Sequence, residues 1–139
     1  MEKPKVIVLC GSSRFVEYMA VSAWLIERDE QAITMGLHFL PWWYSADNIP
    51  SHLAEYEGVA SEMDELHKRK IDLADEIFVV NFDDYVGDST ASEIEYAQSI
   101  NVTVRWFSHD PIGEKVRSLI QSAIDIQGQM GGVDVESGD

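Results

Sequence analysis

The sequence predicts an α/β fold, a single domain built on a parallel sheet of four to five strands with helices on both faces. Two observations predict it. Short apolar runs rich in β-branched residues, at 5–10, 76–82 and 102–107, have the pattern of strands buried on both faces. Segments of helical length and spacing separate them, and such alternation joins successive strands in parallel. Right-handed crossovers then place the strand-to-helix loops 11–14, 41–50 and 83–93 along one sheet edge, where open α/β folds bind ligands.

The elements follow in order. Residues 5–10 form the first strand, and Gly11, Ser12 and Ser13 end it and cap a helix over 14–28. In that helix Val16, Met19, Ala20, Ala23 and Ile26 recur at helical spacing and face a core. A second strand at 32–40 is weakened by Met35 and Gly36, and the loop 41–50 is bracketed by Pro41 and Pro50. From 51 to 74 the composition is helix-forming and charged. Leu53, Tyr56, Val59, Ala60, Met63, Leu66 and Ile71 mark a broken stripe there, with Gly58 a point of division. Residues 76–82 are the clearest strand, followed by a helix over 90–99 and a last strand at 102–107. Pro111 suits the first turn of a final helix reaching 126, with Val116, Leu119, Ile120 and Ala123 inward. Residues 127–139, rich in glycine and acids, read as a disordered tail outside the domain of 1–126.

A chain of 139 residues is long enough for one core and too short for two. Ten basic against 25 acidic side chains leave a net charge of −15, which argues against nucleic-acid polymers and anionic membranes as partners. A small anionic ligand is compatible with it, because a helix amino-terminus and one arginine make a local positive pocket. The single cysteine, Cys10, forms no internal disulfide. No leader or membrane-length apolar run is visible, so the expected location is the cytoplasm. No pair among His38, His52, His67 and His109 has metal-ligand spacing, and neither a metal nor a cofactor is expected.

Three stretches can carry chemistry. In Cys10-Gly11-Ser12-Ser13-Arg14 the glycine admits a ligand, amides and hydroxyls donate to an anion, and Arg14 adds a bidentate charge. The same residues also read as an ordinary helix cap; the lysine of a P-loop and the three glycines of a dinucleotide fingerprint are absent. Trp42, Trp43 and Tyr44 suit stacking on a planar heterocycle, or equally an interface or a lid on the core. In Gly87-Asp88-Ser89-Thr90-Ala91-Ser92-Glu93-Ile94-Glu95-Tyr96-Ala97, Glu93 on a first turn at the sheet edge can attack or stabilise an electron-poor carbon. Thr90-x-x-Glu93 also matches a capping box, in which the glutamate only satisfies its own helix. Asp83, Asp84 and Asp88 crowd the loop before it, as a raised-pKa acid or as simple solvation. Asp64, His67, Lys68, Arg69, Lys70 and Asp72 read as a solvated face, although His67 lies close enough to the central strand to approach the cleft.

Together, the Cys10-to-Arg14 turn, the strand at 77–81 and the segment 87–97 resemble the nucleoside 2-deoxyribosyltransferase superfamily. The likeness is to its small phage and bacterial members, which share His67-Lys68-Arg69-Lys70-Ile71-Asp72, and covers about 5–107. It implies a flavodoxin-like or Rossmann-like three-layer sandwich and a glutamate, matched by Glu93, that attacks C1′ of a deoxyribosyl group as the base leaves. Water or a second base then resolves the intermediate, by the logic of retaining glycosidases. In the related 2′-deoxynucleoside 5′-phosphate N-hydrolases a Gly-Ser-x-Arg turn takes the 5′-phosphate, and Ser12, Ser13 and Arg14 correspond to it. On this reading Trp42, Trp43 and Tyr44 belong to the base pocket, Asp88, Ser89 or Asp72 orient the sugar, and Thr90 is a further substrate-binding residue.

Two positions depart from the family. Val8 or a neighbour stands where it has a tyrosine, and the aspartate before the central strand falls on His67, with Asp64 or Asp72 as stand-ins. The start also resembles cytokinin-activating phosphoribohydrolases, whose Pro-Gly-Gly-x-Gly-Thr loop is missing here. Family members commonly complete their sites from a neighbouring subunit, which implies a homodimer or higher homo-oligomer. The rival expectations are a catalytically inactive nucleotide-binding sensor or sequestering protein, and an assembly role built on the aromatic loop.

Overall fold

A computed structural model describes residues 2–38, 40–41, 43–44 and 53–137. Its strands are β1 (Val6–Cys10), β2 (Ile33–Met35), β3 (Glu76–Val79) and β4 (Thr103–Trp106), and its helices are α1 (Val16–Glu30), α2 (Leu53–Tyr56), α3 (Ala60–Asp72), α4 (Asp88–Ser99) and α5 (Pro111–Ser137). The strands pair in parallel throughout, in the order β2-β1-β3-β4, which is the α/β sandwich of Rossmann or flavodoxin type. From β1 the chain steps outward to β2, then crosses back to lay β3 on the other side. This reversal makes the carboxyl ends of β1 and β3 the topological switch point, where such sheets open a crevice for ligands.

The alternation of side chains along β1 divides the core in two. Ile7 and Leu9 pack with Phe15, Met19, Leu25, Ile26, Phe78, Phe107 and Val116 on the α1/α5 side. Val8 and Cys10 point the other way, to Ile71 of α3 and Ala97 of α4, with Ile77 and Val79. The last side chain of β1 is thereby delivered to the layer that carries α3 and α4. Arg105 of β4 knits the opposite edge: its guanidinium donates to Glu30 at 2.8 and 2.9 Å, to Asp110 at 3.0 Å and to Glu76 at 3.3 Å. Among the described residues no helix is long and apolar enough to cross a membrane.

Several boundaries and faces differ from the sequence expectation. The second strand keeps only Ile33–Met35, as an edge strand whose Ile33 is 48% exposed. The helical stretch divides at Gly58, whose φ of +75° is a left-handed conformation open to glycine at little cost. The stripes of three helices match those expected only in part. In α1 the expected face holds at Val16, Met19, Ala23 and Ile26, which are buried or packed against the core, whereas Ala20 is exposed and Ser22 and Leu25 are buried as well. In α3 they are His67 and Ile71, while Met63 and Leu66 stand 41% and 53% exposed. In α5 Val116 is buried and Ile120 packs against the core as expected, Ile112 is buried as well, and Leu119 and Ala123 are exposed. Helical spacing implies that one side is apolar, but packing against the sheet selects which side is covered. The last helix runs on to Ser137 instead of stopping at Ile126, because neither a proline nor a cap interrupts a helix already nucleated.

Candidate active site

The placement of Glu93 follows from where α4 starts. The helix opens at Asp88, with extended Gly87 as its N-cap, so Thr90 is its third residue and Glu93 its sixth. A capping box needs the glutamate at the third position. The expected Thr90–Glu93 box is therefore not formed, and Glu93 is free of its own helix end. Its side chain instead turns into the α3/α4 layer, and the residue as a whole is 9% exposed.

There it meets two groups from other elements. His67, on the buried face of α3, brings Nε2 to 3.7 Å from Glu93 Oε1. The same nitrogen lies 3.5 Å from the Sγ of Cys10, the last residue of β1. The three donor atoms all lie within 4.8 Å of one another. Burial dominates their electrostatics. It pushes the Glu93 carboxyl up to about 7, opposed by the Cys10 thiol and Lys68 and aided by the charge of Asp64. It pushes His67 down to about 4, with Lys70 adding to the effect. The Cys10 thiol is raised well above its ordinary value by burial and by Glu93. At neutral pH the histidine is thus uncharged and the cysteine a thiol, so the His67–Glu93 contact is no charged ion pair. Glu93 alone stands between its two protonation states.

The serine turn satisfies both of its readings in part. Ser12 Oγ accepts from the Arg14 amide at 3.3 Å and so caps the 3₁₀ turn at Ser13–Phe15. The exposed Arg14 guanidinium stacks 4.2 Å from the ring centroid of Tyr85, and its Nη2 donates to the Tyr85 hydroxyl at 3.4 Å. The loops after β1 and β3 are therefore neighbours, as the topology requires. Gly11, Ser12 and Ser13 are half-buried along this edge. Asp88 and Ser89 are exposed on the first turn of α4, and Thr90 is buried behind them.

Other sequence candidates are engaged elsewhere. Asp72 accepts a short hydrogen bond from the Tyr96 hydroxyl and pairs with Arg69 at 3.2 Å on the outer seam of α3 and α4. Asp64, by contrast, acts on the charge of Glu93 from one turn before His67. Trp43 is 66% exposed, and the Tyr44 hydroxyl donates to Glu57 at 3.1 Å. Trp42 lies outside the described residues, as do 45–52. Two hollows, of about 430 Å³ beside Asn81, Phe82, Ser108 and Arg117 and of about 200 Å³ beside Leu9, Met19 and Met35, do not include Glu93.

Cys10 was legible in the sequence only as part of a backbone turn. Its side chain belongs to the cluster, and the signal was the two-residue period of β1, which sends Val8 and Cys10 to one face. No family model matches the chain, and no curated protein or solved structure matches it.

Proposed function

We propose that the protein cleaves or transfers the N-glycosidic bond of a (deoxy)nucleoside 5′-monophosphate, with Glu93 as the nucleophile at C1′. The observation that carries this reading is the release of Glu93 from helix capping into a buried cluster near the switch-point edge. In the proposed step a Glu93 oxygen bonds C1′ as the C1′–N bond breaks, and the base leaves with that electron pair and takes up a proton. Water then cleaves the glycosyl ester, or a second base displaces Glu93 from C1′. A carboxylate held in a water-poor site stabilises the cationic sugar strongly. The half-buried Ser12 and Ser13 and the exposed Arg14 are the groups for the 5′-phosphate. Asp64, close enough to bias Glu93, is a better candidate than Asp72 for the proton on the leaving base. The reaction needs no cofactor and is read as cytoplasmic, in a homodimer or higher homo-oligomer.

One observation favours a second reading, a nucleotide-binding sensor without turnover: His67, depressed to about 4, has no acidic proton to offer at neutral pH. The test is to incubate chelator-treated protein with deoxy- and ribonucleoside 5′-monophosphates and to follow free base by chromatography. Base release that falls by about 10³-fold or more in Glu93→Gln supports the nucleophile role. Equal release by wild type and variant removes Glu93 from it, and calorimetric nucleotide binding without release supports the sensor.

A further inference from the structure

The geometry points to a binding site for a divalent transition-metal ion of the zinc class, formed by Cys10, His67 and Glu93. A thiolate, an imidazole and a carboxylate are the donor types that zinc takes, and the soft sulfur disfavours magnesium and calcium. Ordinary tetrahedral zinc bonds to sulfur, nitrogen and oxygen require an S···N separation of roughly 3.5 Å and an N···O separation of roughly 3.3 Å. The separations here are 3.5 Å between Cys10 Sγ and His67 Nε2 and 3.7 Å between His67 Nε2 and Glu93 Oε1. For these two pairs ordinary bond lengths ask for a movement of a few tenths of an ångström, and the third pair, Cys10 Sγ and the Glu93 carboxylate, closes from within 4.8 Å by rotation of the glutamate side chain.

The three donors come from the end of β1, the middle of α3 and the second turn of α4, elements fixed by the packing of Cys10, Ile71 and Ala97 in one core. A thiolate and a carboxylate also cancel the charge of a divalent ion, so the loaded site buries no net charge. Three protein ligands leave a fourth position for water or another ligand, and the Glu93 side chain keeps 12% of its surface exposed. The donors are residues 10, 67 and 93, which is why no metal-ligand spacing appears along the chain. An ion on Glu93 and a sugar carbon on Glu93 compete for the same oxygens, so metal loading switches off the glycosidic reaction. That consequence rests on the function proposed above; the metal site itself does not.

The test strips the protein with a chelator, removes the chelator, and titrates with cobalt(II) chloride in the absence of nucleotide. The expected result is saturation at one equivalent, with a thiolate-to-cobalt charge-transfer band and the intense visible bands of a four-coordinate ion, all displaced by zinc(II). Cys10→Ser loses the charge-transfer band. Glu93→Gln and His67→Gln, checked for folding by circular dichroism, bind cobalt at least about tenfold more weakly. No saturable cobalt spectrum in the wild type overturns the site, as does an unchanged charge-transfer band in Cys10→Ser or unchanged affinity in Glu93→Gln. In a base-release assay, one equivalent of zinc abolishes turnover; undiminished turnover by zinc-loaded protein overturns the competition. Absence of release from the metal-free protein counts against the glycosidic function, and the cobalt spectrum still decides the metal site.

Discussion

Replacing Glu93 by glutamine is expected to make the protein more stable at alkaline pH, while removing the group proposed to act on substrate. The magnitude follows from proton linkage. In the folded chain the Glu93 carboxyl titrates at about 7, against 4.5 for the unperturbed group. Between those values the native state holds a proton that the unfolded chain has lost, so stability falls as pH rises, by about 1.4 kcal/mol per pH unit. The full penalty, present above pH 7, is about 3 kcal/mol. His67 acts in the opposite sense: its native value of about 4 lies below the ordinary 6.5, so its contribution grows between those values as pH rises, by a similar amount. The two nearly cancel, and the wild type should show a flat profile between about pH 4.5 and 6.5. Glu93→Gln removes one side of the balance. Its stability should rise with pH over this range and exceed that of the wild type by about 3 kcal/mol at pH 8, with near-equality at pH 4.5. His67→Gln should show the mirror image, losing stability as pH rises. Urea unfolding of metal-free protein, followed by tryptophan fluorescence, reads the difference as a midpoint shift of about 1–2 M. If Glu93→Gln is less stable than wild type at pH 8, Glu93 is a structural anchor and the site argument fails.

Three other outcomes are expected. Base release should rise with pH along an acid limb with an apparent pKa of about 7, because Glu93 attacks only when ionised; a profile falling through 7 would make it a proton donor instead. Gly113→Ala puts a methyl 1.9 Å from the Phe107 carbonyl oxygen, and urea unfolding should report a loss of about 2 kcal/mol or more. A wild-type midpoint would show that the start of α5 is not held against that carbonyl. Arg105→Met leaves Glu30, Glu76 and Asp110 without their shared cation and should cost about 3 kcal/mol, only partly recovered by Arg105→Lys, whose point charge cannot form paired contacts. Full recovery by lysine in the same unfolding assay would refute the role of bidentate geometry.

Much of the fold was legible because its causes are local. The runs containing β1, β3 and β4 announce themselves through continuous apolar, β-branched sequence, which only strands covered on both faces can use. Gly58 announced the break between α2 and α3 for an equally local reason. The helix faces were less legible. Periodicity shows that α3 has an apolar stripe, yet Leu66 is left in solvent and His67 is buried, because packing on the sheet and α4 sets the rotation of the helix. The same step decides the site. Reading Glu93 as a cap depended on the first residue of α4, and a shift of that start by a few positions moved the carboxylate into the interior.

By itself the sequence determined the order of strands and helices, the edge on which the loops gather, and the candidates Glu93, His67 and the serine turn. Only the tertiary structure decided that Cys10 joins His67 and Glu93, and that Asp72 is occupied by Arg69 and Tyr96 on the outer seam. Cys10 and His67 stand 57 residues apart in sequence. No local rule couples them; the crossover from β2 through α3 to β3, which passes over β1, brings them within contact, and the burial that follows sets their protonation.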